Sequence, residues 1–208
     1  MVGPGAIVHL QLHMSVGDHY RYDRWALDQF GYPLPNGRME ELWTVKAVGA
    51  TVQGQNGVTV LNDSGVGTPD GTRYIRFAPT GEVYEFGFLD ILLRQMGTGS
   101  VTQHWDQLLP AQLQSGTTWV VGVADSLGQD IVYGSFTIVP EYFSAQLNGV
   151  SNVFPSYRID LQSTYVQYTF WITDSPTCIP GFQEGSTGFG DGFEAFLSRA
   201  TVSGHGGP

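Results

Sequence analysis

Cysteine, lysine and charge are all scarce in this chain. Cys178 is the only cysteine. A single thiol makes no intrachain disulfide, no thiolate zinc site and no Cys-x-x-Cys redox pair. It reads as a small buried hydrophobe, because the nearest upstream histidine that could activate it is the distant His104. Lys46 is the only lysine among nine basic residues. Charged residues make up 13% of the chain, against a usual ~25%. Nineteen acids against nine bases leave a net charge of −10. That balance excludes nucleic-acid binding by counterion release, which needs clustered Lys and Arg. It also opposes attachment to anionic membranes. No run approaches the ~20 apolar residues of a membrane-spanning helix. The first fourteen residues (MVGPGAIVHLQLHM) have neither the basic start nor the apolar stretch of a secretory signal.

Catalytic and ligand-binding motifs are equally sparse. The GxSxG nucleophile elbow is missing, as are the phosphate-cradling GxGxxG and GxxxxGK[ST] patterns. The serine-containing turns Asp63-Ser64-Gly65 and Gly97-Thr98-Gly99-Ser100 read as hairpin loops. His9 and His13 lie four residues apart in a segment that alternates as a strand. That spacing separates them by ~13 Å, too far for one zinc ion with bonds of ~2 Å. His19, His104 and His205 are isolated. Glu40 and Glu41 are adjacent, so a strand points them to opposite faces. Asp125 and Asp130 bracket a turn and Asp191 lies between glycines. Both loops carry calcium-type donors, but neither follows the EF-hand pattern. The expectation is a protein without enzymatic activity, cofactor or metal.

What the chain has is glycine and aromatics. Glycine accounts for 28 of 208 residues, nearly double the usual ~7%. Short runs rich in Val, Thr, Ile, Tyr, Phe and Trp lie between the glycines, the pattern of a many-stranded antiparallel protein. Val8 to Met14 alternates as a strand. Leu42–Val52 and Gly57–Asn62 form a hairpin through Gln53-Gly54-Gln55-Asn56-Gly57, a turn with an Asn-Gly step. Arg73–Ala78 and Glu82–Phe88 form another, closed by Pro79-Thr80-Gly81, which sets Arg73 and Arg76 against Glu82 and Glu85. Such cross-strand pairs contribute ~0.2–1 kcal/mol each. Thr117–Ala124 and Ile131–Val139 pair across the turn Asp125–Asp130, and Tyr157–Leu161 pairs with Tyr165–Thr173. His104–Leu113 reads as a turn or two of helix interrupted by Pro110. The glycine-rich stretch Asp174–Gly192 reads as a long loop. Phe193–Ala200 (FEAFLSRA) has the helical spacing, with Phe193, Phe196 and Leu197 on one side.

The predicted fold is therefore all-β, an antiparallel sandwich or flattened barrel with a short C-terminal helix. It forms one domain over 1–208, or two β-rich halves, 1–99 and 100–208. The halves echo one another, since Val16-Gly17-Asp18-His19-Tyr20 and Ser115-Gly116-Thr117-Thr118-Trp119 are both Gly-x-x-aromatic lead-ins to a strand.

The segment Leu108–Trp119 (LLPAQLQSGTTW), followed by strands and the aromatic run Tyr168–Ile172 (YTFWI), resembles a loose group of bacterial extracytoplasmic, lipoprotein-like β-sheet proteins. These repeat a Leu-Pro, Gly-x-x-Trp lead-in and have no assigned activity. The resemblance implies export and carries over no catalytic residue.

The chain has twelve Phe, ten Tyr and five Trp; in a β protein most such rings are core, and the alternative is a surplus exposed at the surface. Tyr and Trp are the residues that surfaces use to bury against a partner. Trp25, Tyr32, Trp43, Tyr142 and Trp171 are candidates for exposed rings. The long loop, the adjoining helix and the C-terminal tail form the predicted docking surface, with Phe182, Phe189, Phe193, Phe196 and Trp171 at the interface. The expected partners are other protein subunits, in a membrane complex, surface layer or virion. The alternative is an extracytoplasmic binding module for a glycan or an apolar ligand.

Overall fold

A computed structural model describes residues 7–8, 14–28, 30, 32–65, 70–96, 99–164, 166–173, 180–186 and 192–201. The first strands are β1 (His19–Leu27), β2 (Pro33–Val52), β3 (Gln55–Asp63), β4 (Thr72–Phe77) and β5 (Val83–Phe86). The helix α1 (Phe88–Gln95) follows, then β6 (Trp105–Leu109), β7 (Thr118–Val123), β8 (Ile131–Leu147) and β9 (Val150–Gln162). β10 (Gln167–Thr173), β11 (Pro180–Ser186) and β12 (Gly192–Thr201) complete the order. All twelve belong to one sheet, ordered β6-β5-β4-β3-β2-β1-β12-β11-β10-β9-β8-β7. Two six-strand meanders, β1–β6 and β7–β12, are thus joined by the antiparallel pair β1–β12. The sheet curls until its two end strands lie side by side. No ladder joins them; instead the Trp119 indole donates across to the Gln107 carbonyl at 3.0 Å. A short parallel pairing of β12 with β8, through Arg199–Gln146 and Ala200–Leu147, tightens the second meander.

Alternation explains which face turns inward. Tyr20, Tyr22 and Arg24 of β1 are buried, whereas Arg21, Asp23 and Trp25 are not. The same period places Trp43, Val45, Leu61, Ile75, Val83, Phe136, Ile159, Leu161, Tyr168, Phe170 and Ile172 in one core cluster. α1 adds Phe88, Leu89, Leu92 and Leu93. The Phe88 ring meets Tyr168 edge-on at 5.8 Å, tying helix to second meander.

The all-β class and the hairpins at 42–62, 73–86, 118–139 and 157–173 are present as the sequence predicts. Several local expectations are corrected. The turn between β2 and β3 is the first two residues of the predicted one, Gln53-Gly54 (φ 47° and 74°), and Gln55, Asn56 and Gly57 already belong to β3. A two-residue turn with both φ positive matches the twist of the strands it joins. Asn148-Gly149 repeats it between β8 and β9 (φ 50° and 82°). Phe193–Ala200 is not a helix but part of β12, a central strand paired with both β1 and β11. The helix is α1, in the first meander. His104–Leu113 holds the strand β6, paired with β5. The stretch Asp174–Gly192 is not all loop, since β11 occupies Pro180–Ser186. Of the strand expected at Val8–Met14, residues 9–13 lie outside the described residues; Val8 bridges Leu113.

Candidate functional site

The inner face of the first meander carries a layer of buried charge. Arg24, Glu41, Asp63, Arg73 and Glu85 occupy the same strand parity as Tyr22, Trp43, Leu61, Ile75 and Val83, so alternation turns them inward. Arg73 is the hub. Its Nε donates to Glu85 Oε1 at 2.6 Å and its Nη2 to Glu85 Oε2 at 3.0 Å, a two-pronged fork. Its Nη1 lies 3.5 Å from Asp63 Oδ2, and the guanidinium stacks over the Trp43 ring at 4.2 Å. Glu41 accepts from Arg24 Nη1 at 3.2 Å and from the Trp43 indole at 2.6 Å. No member of this network has more than 6% of its side chain exposed.

Burial and neighbours set the proton positions. Burial pushes the Glu41 carboxyl up, Asp63 adds to the push, and Arg24 and Arg73 oppose it. Burial works against the Arg73 charge, but Glu85 and Asp63 outweigh it, so the guanidinium holds its proton more tightly than usual. Burial also raises the Tyr22 and Tyr168 hydroxyls, keeping both neutral.

Asp106 of β6 joins this layer opposite Glu85. Its Oδ2 accepts from the Leu89 amide at 3.0 Å, at the start of α1. The N-cap residue, Gly87, has no side chain to cap the helix and lies at φ 70°. Asp106 therefore supplies from another strand the acceptor that the helix start lacks. Burial pushes its carboxyl up to about 7, against the pull of the Leu89 amide, with Glu85 and Asp90 adding to the rise. Asp90 fastens the other side of α1, accepting from the Val101 amide at 3.0 Å and from the Gln103 amide group at 3.1 Å.

These groups fix strand register and anchor a helix; their carboxylates face each other and their arginines rather than solvent. Sequence reasoning read Arg73 and Glu85 as a cross-strand pair of small worth and did not assemble the layer. A usable signal was the parity of Glu41 with Trp43 and Val45, which places a carboxylate on an apolar side.

The other candidates fall as follows. Glu40 faces outward and pairs with Arg21, opposite in direction to Glu41. His19 and His104 are exposed, and His19 Nδ1 lies 3.0 Å from the Thr44 hydroxyl. Asp125 accepts from the Gln129 amide, and Asp130 from the Ser163 hydroxyl and the Thr164 amide. Among the described residues no three metal-type side chains converge. His9, His13, Cys178, Phe189, Asp191 and His205 lie outside the described residues. Trp43 is not an exposed ring but core, at 2% exposure. Tyr32 is exposed, and Trp25 and Trp171 are half-buried.

The register brings three of the interface candidates together. Trp171 opposes Phe182, which opposes Phe196, which opposes Asp23 of β1. Phe193 instead pairs with Gly185 and Ala26.

No protein-family model and no curated protein matches the chain. Two solved structures do. One is described as an exported protein with a YmcC-like fold from Bacteroides fragilis, at 8% identity and a TM-score of 0.48, over 93% of this chain and 99% of that one. The other is described as a lipoprotein from Parabacteroides distasonis, at 11% identity and a TM-score of 0.42, over 92% of this chain and 98% of that one. Both are of the kind the sequence resembles, and the likeness gives no residue a role. Among the described residues no helix is long and apolar enough to cross a membrane.

Proposed function

We propose that this chain is a non-enzymatic interaction protein of the extracytoplasmic space, a subunit that docks onto another protein through its outer sheet surface. The observation that carries this reading is the outer side of the β7–β8 hairpin. Val120 opposes Tyr133 and Val123 opposes Ile131. All four are exposed, Val120 and Tyr133 at 52% each, and Leu127 in the turn between the strands is 77% exposed. Single exposed apolar residues are ordinary, but a contiguous group marks a surface that is covered in use. The β1–β2 turn adds Phe30 at 73% and Tyr32 at 69%. The polar groups best equipped for chemistry are, by contrast, turned inward and engaged with one another.

A photo-reactive amino acid at position 133 tests this in cells, with position 55 in the β2–β3 hairpin as control. The expected result is an adduct of one defined mass from position 133 alone. Val120→Asp with Ile131→Asp removes it without shifting the melting temperature. Equal labelling from both positions, or an adduct indifferent to the aspartates, overturns the reading.

A further inference from the structure

The sheet has two end strands, and the chain treats them differently. β6 is protected in three ways. Asp106 turns a carboxyl inward from it, Pro110 follows its last residue, and its Gln107 carbonyl is taken by the Trp119 indole. Inward charges, prolines and covering groups are how natural sheets blunt a free edge. β7 (Thr-Trp-Val-Val-Gly-Val) contains neither charge nor proline.

β7 pairs with β8 along one side only. It meets β6 through inner side chains: the Trp119 indole, and Asp106, which leaves no room for a Cβ at Gly122. The hydrogen bonds at the two ends of β7 fix which way its backbone groups point. The Phe136 amide donates to the Thr117 carbonyl at 3.0 Å and the Ala124 amide to the Asp130 carbonyl at 2.8 Å. Alternation along an antiparallel pair then turns the backbone groups of Trp119 and Gly122 toward β8. Thr118, Val120 and, past the bulge at Val121, Val123 turn theirs away from it. Among the described residues none bonds to these outward amides and carbonyls. The side chains of the same three residues are exposed, with Ile131 and Tyr133 beside them on β8. From Ala111 to Pro140 the only charged residues are Asp125 and Asp130, and both carboxylates accept from groups of their own chain. An unpaired backbone row flanked by exposed valines and no free charge suits an extended chain with apolar side chains.

We infer that the docking partner adds a strand: an extended, uncharged segment of another protein, with apolar residues at alternate positions, pairs with the free edge of β7 and continues the sheet. The inference rests on the interaction reading above and names the partner's chemistry at that hairpin. A second copy of this chain fits the edge less well. The bulge at Val121 breaks the row, so two β7 edges meeting antiparallel would match over Thr118–Val120 alone, whereas a flexible segment can follow the bulge to Val123.

The test uses the full chain, isotope-labelled for NMR, and a neutral capped peptide that alternates valine and threonine. In the isolated chain the Thr118, Val120 and Val123 amides should exchange with solvent faster than those of Trp119 and Gly122. The peptide should slow the first three and shift their resonances. Methylating the peptide's amides keeps its side chains and removes its donors, and should weaken binding about tenfold. A version with glutamate in place of valine should bind as weakly. Val120→Pro removes one outward amide, a change that edge strands tolerate, and should abolish binding. Val120→Thr keeps the backbone and should bind as the unsubstituted chain does. If the proline variant does not fold, the exchange pattern and the methylated peptide still decide. Slow exchange of the three amides in the isolated monomer overturns the inference, as does a concentration-dependent dimer in which they are protected. So does the absence of saturable peptide binding, binding indifferent to amide methylation, or equal binding by a folded Val120→Pro variant. The adduct from position 133, on the outer side, does not require strand pairing. An adduct with negative peptide results leaves the interaction reading standing without this inference, and no adduct ends that reading whatever the peptide does.

Discussion

The two meanders begin alike and diverge in what they enclose. Ahead of β1, the Gly17 amide donates to the Val45 carbonyl at 3.0 Å and the Val45 amide returns a bond to Asp18 at 2.9 Å. Ahead of β7, Gly116 donates to Phe136 at 2.9 Å and Phe136 returns a bond to Thr117 at 3.0 Å. In both turns the side chain one place after the glycine, Asp18 or Thr117, accepts from the amide three residues before it. Both glycines sit near φ 90°, at 92° and 89°. Yet the first meander buries arginines, carboxylates and a helix start, while the described inner side of the second is largely Val, Ile, Leu, Phe and Tyr. Turn geometry and strand period thus fix a frame that tolerates either kind of filling, provided that each buried charge finds a partner.

The largest expected effect breaks the filling of the first meander. Arg73→Ala leaves Glu85 and Asp63 buried without their guanidinium, and removing one partner of a buried pair costs about 3–5 kcal/mol. Arg158→Ala, at an ion pair on the outside of the second meander, should cost less than about 1 kcal/mol. Urea unfolding of the two variants checks the contrast; similar losses would show that the inner layer is not what distinguishes the meanders.

A smaller effect concerns pH. The Asp106 carboxyl titrates near 7 in the folded protein, against ~3.9 in an unfolded chain. The folded state therefore holds this proton more tightly. Its contribution to stability is complete below about pH 4 and is lost as the pH rises through 7. Glu41, also raised by burial, acts in the same direction. Asp106→Asn keeps an acceptor for the Leu89 amide and removes the titration. The variant should show a flatter dependence of unfolding midpoint on pH between 4 and 8; an unchanged slope would move the effect to Glu41.

The smallest expected effect sharpens the likeness. Gly17→Ala and Gly116→Ala each force a Cβ into left-handed backbone, at a cost of about 1–2 kcal/mol. The two losses should agree to within about 0.5 kcal/mol. A large inequality, measured by the same unfolding experiment, would mean that the two turns bear different loads.

How much of this was legible depends on where each residue's partners lie. Hairpins were readable because strand, turn and returning strand are neighbours in sequence, as at Arg73–Phe86. β12 was not, because the spacing of Phe193, Phe196 and Leu197 is helical and only pairing with β1 and β11 on either side makes the segment a strand. Tertiary context overrides local preference in such a case. α1 was hidden for the converse reason: its start is stabilised by Asp106, which arrives on a later strand. The buried charge layer draws on β1 to β6, so no single window contains it. The three interface candidates that stand in one row were chosen for their aromatic character, and their alignment depends on strand register.

The joint between the meanders has a kinetic consequence. His19 pairs with Thr201 and Leu27 with Gly192, so the strands that hold the sheet together are nearly a whole chain apart. During synthesis β1 emerges long before its partner exists, and contacts so distant are slow to close. The local hairpins can form while β1 waits with one edge bare, and a bare edge accepts any strand that reaches it first. Whatever receives this chain as it is made must keep that edge from neighbours until the last strand arrives.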